Sequence, residues 1–270
     1  MKSSRQKIVR WASGAAPSGA MDDLAVEEPL EIRVDNQRVS VTMRTPGHDD
    51  ELAAGFLLGE GLIKRRAEVL KIAPYPRNND KNVLGVFLAP DTPLDLQHLT
   101  RHFFVSSSCG LCGKASIAAV RRHFPAIKTK ISVAAVVLLQ LPEKLRAQQE
   151  TFARTGGLHA AGLFDLTGKL IVAREDVGRH NAVDKVLGRA LLNDLLPLDG
   201  HILFVSGRVS FEIVQKALAA RVAVIAAVSA PTNLAVEFAQ ANGQTLIGFV
   251  RENRLNVYTH TRRVKFRKKS

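Results

Sequence analysis

Cys109 and Cys112 are the only two cysteines in the 270-residue sequence, and they stand three apart in Ser106-Ser107-Ser108-Cys109-Gly110-Leu111-Cys112-Gly113. At this spacing two thiols can share a turn, and one can attack a sulfur held on the other. Gly110 and Gly113 let the backbone fold tightly, and the neighbouring serines argue against burial. A helix expected from Lys114 to His123 would point its positive end, and Lys114 itself, at the sulfurs. Both effects lower a thiol pKa, and the thiolate is the nucleophile. The inert reading of the same pair is two small buried hydrophobes. A structural zinc needs four ligands, and no second Cys pair or His pair is present to complete one. A zinc deaminase needs His-x-Glu ahead of Pro-Cys-x-x-Cys. Here Ser108 precedes Cys109, and His159 comes after the cysteines and is followed by two alanines. No protein-ligated metal is therefore expected.

Phosphate chemistry is the next candidate. Gly113-Lys114-Ala115 lacks both the leading glycine and the Ser/Thr of a P-loop, and no G-x-G-x-x-G occurs. Three loops still have suitable chemistry. The first, Thr155-Gly156-Gly157-Leu158-His159, is glycine-dense. The second, Arg174 to Asn181, gathers polar side chains around Gly178, among them Asp176, Arg179 and His180. The third, Ser206-Gly207-Arg208-Val209-Ser210, follows an apolar strand and opens a helix. Backbone N–H groups at such a helix start, with Arg208, suit a phosphate. Each loop alone reads equally well as a capped turn. Three of them on one sheet edge would make a pocket. A fourth segment, Phe249-Val250-Arg251-Glu252-Asn253-Arg254, joins two strands. It is either a hairpin turn with solvated charges or an anion-contacting loop.

The elements that must position these groups follow from periodicity. Residues 1–21 read as a flexible basic lead-in. Glu31–Val34 and Arg38–Met43 read as paired strands around Asp35-Asn36-Gln37, with Thr45-Pro46-Gly47 closing the hairpin. A helix is expected from Leu52 to Ile63, with acids ahead of it, then a strand over Val83–Leu88. The longest apolar run, Ile131 to Leu139, reads as strand-like, and Pro142 to Arg154 as a helix with Pro142 in its first turn. From Leu158 onward the pattern is β-β-α-β-α-β-α-β-β, with strands at 158–164, 169–173, 201–205, 222–228, 245–250 and 255–259. Near-continuous apolar strands alternating with helices predict a three-layer α/β sandwich, with a domain boundary between 125 and 145.

Composition excludes several classes. Hydrophobic residues make up 46% and charged residues 23%, which is globular. No apolar run approaches the ~18 residues of a membrane span. The net charge of +13 suggests nucleic acid, but ten of those charges lie in residues 1–20 and 261–270. Only 6% of residues are aromatic, so a base-stacking platform is not expected. The N-terminal residues lack the apolar stretch of a secretory signal, and two cysteines make no disulfide framework. The expectation is a cytoplasmic protein with no membrane and no specific nucleic-acid partner.

Several runs together resemble the FdhD family of formate dehydrogenase accessory sulfurtransferases. They are Thr45-Pro-Gly-His-Asp-Asp-Glu-Leu, Ser-Ser-Ser-Cys109-Gly-Leu-Cys112-Gly, Thr-Gly-Gly-Leu-His159, Arg-Glu-Asp-Val-Gly-Arg-His180-Asn-Ala-Val-Asp184-Lys185 and Ser-Gly-Arg208. The resemblance runs in order from about Glu31 to Thr259. It implies a sulfur carrier that accepts sulfane sulfur from a cysteine desulfurase as a persulfide on Cys109, with Cys112 as partner. It also implies delivery to the molybdenum (or tungsten) bis-guanine-dinucleotide cofactor destined for formate dehydrogenase. That cofactor would be held by Phe249 to Arg254. Gly156, Gly157, His159, Asp176, Arg179, His180, Ser206, Gly207 and Arg208 are expected to line the same pocket. The implied fold is a cytidine-deaminase-like α/β domain over 136–260, preceded by a smaller α+β domain over 22–135. Basic tails are expected at 1–21 and 261–270, and the assembly is expected to be a homodimer. Two alternatives stay open, a dithiol oxidoreductase using Cys109 and Cys112, and a cofactor chaperone without sulfur chemistry.

Overall fold

The computed structural model describes residues 2–75, 81–90, 92 and 124–266. Cys109, Cys112 and the helix expected over 114–123 lie outside the described residues.

The chain opens with an antiparallel ribbon, β1 (Ser3–Arg10) and β2 (Ser18–Ala25), in register from Ser3↔Ala25 to Arg10↔Ser18. This corrects the expectation of a flexible lead-in. A two-stranded ribbon buries little of either face, so it carries no apolar alternation for sequence reading to find. Its base is fastened through Arg154, which bonds Ser3 Oγ and lies 3.9 Å from Asp23.

β3 (Glu28–Val34), β4 (Gln37–Arg44), β5 (Val69–Pro74) and β6 (Val83–Leu88) form a sheet of order β4-β3-β6-β5, with α1 (Asp49–Gly59) between β4 and β5 in sequence. The first turn of α1 carries Asp49, Asp50 and Glu51, as the helix dipole favours. Buried Arg44 joins Asp49 to Glu28, each at 3.1 Å.

β7 (Val133–Ala134) leads directly into α2 (Ala135–Arg146), followed by α3 (Glu150–Thr155). The strand expected over 131–139 and the helix expected over 142–154 are both corrected here. Leu138, Leu141 and Leu145 are buried at helical spacing while Val136 stays exposed. Burying three leucines contributes roughly 1.5–3 kcal/mol each, which offsets the ~3 kcal/mol of Pro142 inside the helix.

The rest follows the expected order: β8 (His159–Asp165), β9 (Leu170–Asp176), α4 (Arg179–Leu192), β10 (His201–Val205), α5 (Phe211–Ala219), β11 (Val224–Ala227), α6 (Asn233–Ala241), β12 (Thr245–Gly248), β13 (Asn256–Val257) and β14 (Val264–Lys265). The sheet order is β13-β12-β11-β10-β8-β9. Alternate residues serve opposite layers, as the two-residue period of a strand demands. Ile202, Phe204, Val224 and Ala226 join the α2 leucines, while Leu203, Val205, Ile225 and Ala227 join α1, α4 and α5. Residues 261–266 are not a free tail: Thr261–Arg263 form a 3-10 turn and β14 pairs parallel with β7.

α1 and α4 touch backbone to backbone. A Cβ on Gly55 would lie 1.9 Å from the Asp184 carbonyl oxygen, and one on Gly188 would lie 1.8 Å from that of Glu51. Through this contact the core runs unbroken from β3 and β6 to β8, β10 and β11. No helix among the described residues is long and apolar enough to cross a membrane.

Candidate functional site

β10, β11 and β12 run parallel, so their carboxyl ends share one edge of the sheet. β8 runs antiparallel to β10 and starts at that edge, and β9 ends there. Topology therefore aligns the segments 249–254, 228–232, 206–210, 156–159 and 176–180 in that order. Four strand spacings of ~4.8 Å make a row about 19 Å long. In an open α/β sheet this is where ligands bind.

At one end of the row, His159 stands opposite Asp176 in the strand register. A Cβ on Gly207 would lie 3.2 Å from His159 Nδ1 and 3.7 Å from Arg179 Cδ, so these three residues meet. The loop is held by Ser206, whose N–H donates to Ala160 O and whose Oγ accepts from Ala160 N–H, each at 2.9 Å. Val209 N–H donates to Ala230 O and Thr232 N–H to Val209 O, joining the next loop to it. Gly156 ends α3 in the left-handed conformation, φ +66°, with its N–H on Phe152 O. Glycine takes that conformation without a Cβ penalty.

At the other end, Phe249 takes φ +52° and is 36% exposed. A non-glycine residue held there stores strain of roughly 1–3 kcal/mol. Val250 is buried in the core, and Arg251 to Arg254 form an exposed turn closed by Arg251 N–H on Arg254 O. Among the described residues none of Arg179, Arg208, Arg251 and Arg254 has an ion-pair partner, and Arg179 Nε is buried with no hydrogen-bond acceptor. Nor do three His, Cys, Asp or Glu side chains gather as a metal site among the described residues.

Two residues expected to line the pocket lie beneath it instead. Asp176 is fully buried. Its Oδ1 accepts from Gly178 N–H and Asn181 Nδ2, and its Oδ2 accepts from Thr45 N–H and pairs with Lys185 Nζ at 2.6 Å. Lys185 Nζ also donates to Thr45 O, and Val177 N–H donates to Thr45 Oγ1. This network fixes the 176–179 corner and so aims Arg179. His180, 2% exposed, meets Ser210 Oγ at 3.1 Å and binds the starts of α4 and α5 together. Thr45, Asn181 and Lys185 were not singled out as site supports from their types. The available signal was a dense polar run that folds inward. Lys185→Met is expected to cost about 3–5 kcal/mol, because it removes the one cation paired with buried Asp176 among the described residues. Denaturant unfolding checks this, and a cost below about 1 kcal/mol would refute the network's role.

His159 is held below its ordinary pKa, first by burial and then by the Arg179 guanidinium, with Asp176 opposing. The ring is therefore neutral near pH 7. Arg179→Gln removes the second cause, so His159 should titrate at higher pH than in the wild type. Histidine NMR titration measures this, and an unchanged or lower midpoint would contradict the geometry.

The FdhD/NarQ family model matches residues 25–265. The chain is 50% identical to a sulfur carrier protein FdhD of Mycobacterium tuberculosis, over 90% of this chain and 92% of that one. It is 48% identical to the Streptomyces coelicolor protein of the same name, over 97% and 96%. The Sulfolobus acidocaldarius protein of that name is 43% identical over 98% and 99%. Among solved structures, a candidate formate dehydrogenase accessory protein from Desulfotalea psychrophila superposes with a TM-score of 0.76. That likeness covers 98% of this chain and 100% of that one at 24% identity, and it bears on the fold alone.

Proposed function

The chain belongs to the FdhD/NarQ family, and from that premise we propose that it is a sulfur carrier in formate dehydrogenase maturation. The thiolate of Cys109 attacks the terminal sulfur of a cysteine desulfurase persulfide. The S–S bond of the donor breaks, its cysteine leaves as thiolate, and Cys109 holds the sulfane sulfur. Attack by the Cys112 thiolate on the Cys109 sulfur then expels the terminal sulfur as hydrosulfide and closes a disulfide. A thiol reductant reopens that disulfide. The acceptor is the molybdenum or tungsten bis-guanine-dinucleotide cofactor, bound as substrate.

The observation that carries this reading is a row of four arginines on one sheet edge that have no ion-pair partner among the described residues. A ligand with several phosphates along an extended body matches that spacing. Neutral His159, Arg179 and the Ser206–Arg208 loop receive one end, and strained Phe249 with Arg251 and Arg254 receives the other. Helices on both faces of the six-stranded sheet support a deaminase-like architecture for residues 136–260. The reading places the protein in the cytoplasm as a homodimer.

Mass spectrometry after incubation with a desulfurase and cysteine tests it. One added sulfur atom on Cys109 is the expected result. A Cys109–Cys112 disulfide that cycles with a reductant, without sulfur gain, would make the protein a dithiol oxidoreductase. No adduct, with guanine nucleotide retained, would make it a cofactor chaperone.

A further inference from the structure

The β1–β2 ribbon is a sheet of two strands, and every residue from Val9 to Gly19 is exposed. A two-stranded ribbon alone is marginal in water, and it gains stability when another surface covers it. Trp11, the one tryptophan in the sequence, is 65% exposed just beyond β1, and Val9 is 74% exposed. The register sets Lys7 opposite Met21 and Val9 opposite Gly19, so Lys7, Val9 and Met21 share one face. Among the described residues Lys7 and Arg10 have no ion-pair partner. The root of the ribbon lies at the loop edge. A Cβ on Gly157 would lie 3.3 Å from Ala25 Cβ, and one on Gly47 would lie 3.6 Å from Lys2 Cε. Gly157 is close in sequence to His159, and Thr45, just before Pro46-Gly47, donates its N–H to Asp176. Strands of eight residues at ~3.3 Å each carry the tip about 25 Å from that root.

We propose that the ribbon is a docking arm for a partner protein with an acidic face, the cysteine desulfurase that loads Cys109, with Trp11 and Val9 as apolar anchors and Lys7 and Arg10 against its carboxylates. The identity of the partner rests on the sulfur-carrier reading. Tryptophan is enriched among the side chains that carry binding energy, and cations without ion-pair partners draw an anionic surface towards it. A second copy of this chain is the poorer occupant, because each copy carries a net charge of +13. Nucleic acid is the poorer occupant too, because Val9 and Met21 offer nothing to a phosphate and a single indole makes no stacking platform. A desulfurase gripping an arm rooted beside Gly157 is held next to the loop edge assigned to the acceptor.

The test uses the full chain, a purified cysteine desulfurase and cysteine persulfide as a small sulfur donor. The desulfurase should slow hydrogen exchange in residues 5–11 and 18–24, and its affinity, read by calorimetry, should fall with added salt. Trp11→Ala should weaken binding at least about tenfold, and Lys7→Glu with Arg10→Glu about as much. All three side chains are exposed, and Lys7→Gln with Arg10→Gln serves if charge reversal disturbs the ribbon. Loading of Cys109 by the desulfurase should slow in these variants, whereas cysteine persulfide should load them as it loads the wild type. The two readings therefore fail separately: a wild type that cysteine persulfide cannot load ends the carrier reading, while desulfurase binding alone decides the docking arm. Wild-type affinity for the desulfurase in both variants, or unchanged exchange in 5–11 and 18–24, would overturn the proposal. So would a homodimer that Trp11→Ala dissociates, which would make a second copy the occupant. Single-stranded DNA or anionic vesicles that protect the ribbon as strongly as the desulfurase would overturn it as well.

Discussion

A Cys109→Ala protein is expected to accept no sulfur from a desulfurase and to restore no formate dehydrogenase activity. Cys112→Ala should still load and then fail to deliver. The asymmetry follows from the two roles. Cys109 supplies the nucleophile that captures the sulfane sulfur, and the one other thiol in the sequence, Cys112, serves release and not capture. Losing the nucleophile of a covalent mechanism costs at least about 1,000-fold. Cys112 acts later, when the electrons for release come from closing a disulfide. A loaded Cys112→Ala protein should therefore hold one extra sulfur that an added thiol sets free. Equal loading of Cys109→Ala and wild type would end the assignment of sulfur capture to Cys109, as would a Cys109→Ala protein that restores the dehydrogenase.

Gly188→Ala is expected to destabilise the fold by about 3 kcal/mol or more. In a solvated helix the same change would stabilise by about 1 kcal/mol, because alanine is the better helix former. The sign is reversed by what the new methyl meets. It would lie 1.8 Å from Glu51 O and 2.7 Å from Gly55 N, both backbone atoms of α1. α1 cannot retreat without lifting Leu52, Ala54, Leu57 and Leu58 out of the core. It would also drag Glu51 from Arg174, which it holds at 2.5 Å. Gly55→Ala meets Asp184 O at 1.9 Å and should behave alike. Gly200→Ala, with nothing within 4 Å, is the control. Thermal and denaturant unfolding of the three variants decide the matter. A Gly188→Ala protein within 1 kcal/mol of Gly200→Ala would show that the helices can part cheaply.

Much of the fold was legible before any coordinates. The strands at 201–205 and 245–248 are short apolar runs because both their faces are covered, and α5 and α6 show clear amphipathic spacing. The β1–β2 ribbon was missed because almost all of it faces solvent, so no alternation marks it. α2 was missed because its first residues are valines and leucines that suit a strand as well. Only the sheet lying beneath Leu138, Leu141 and Leu145 selects the helix. At the site, residue types pointed to His159, Arg179 and the 206–208 loop, which the structure brings together. They pointed equally to Asp176 and His180, because a polar side chain that lines a pocket and one that supports it from below look the same in sequence.

The sequence alone determined the reagents: a single thiol pair, a set of glycine- and arginine-bearing loops, and an alternation of strand and helix that implies a parallel sheet. These are local properties, carried by side-chain chemistry and by periods of two and 3.6 residues. The tertiary structure decided which loops share an edge, which carboxylate is buried under Lys185, and where two helices come close enough to exclude a methyl. It also brought residues 129–131 against 258–263. Each of these depends on contacts between residues distant in the chain, whose formation is governed by the packing of the whole core, and no window of neighbouring residues encodes it.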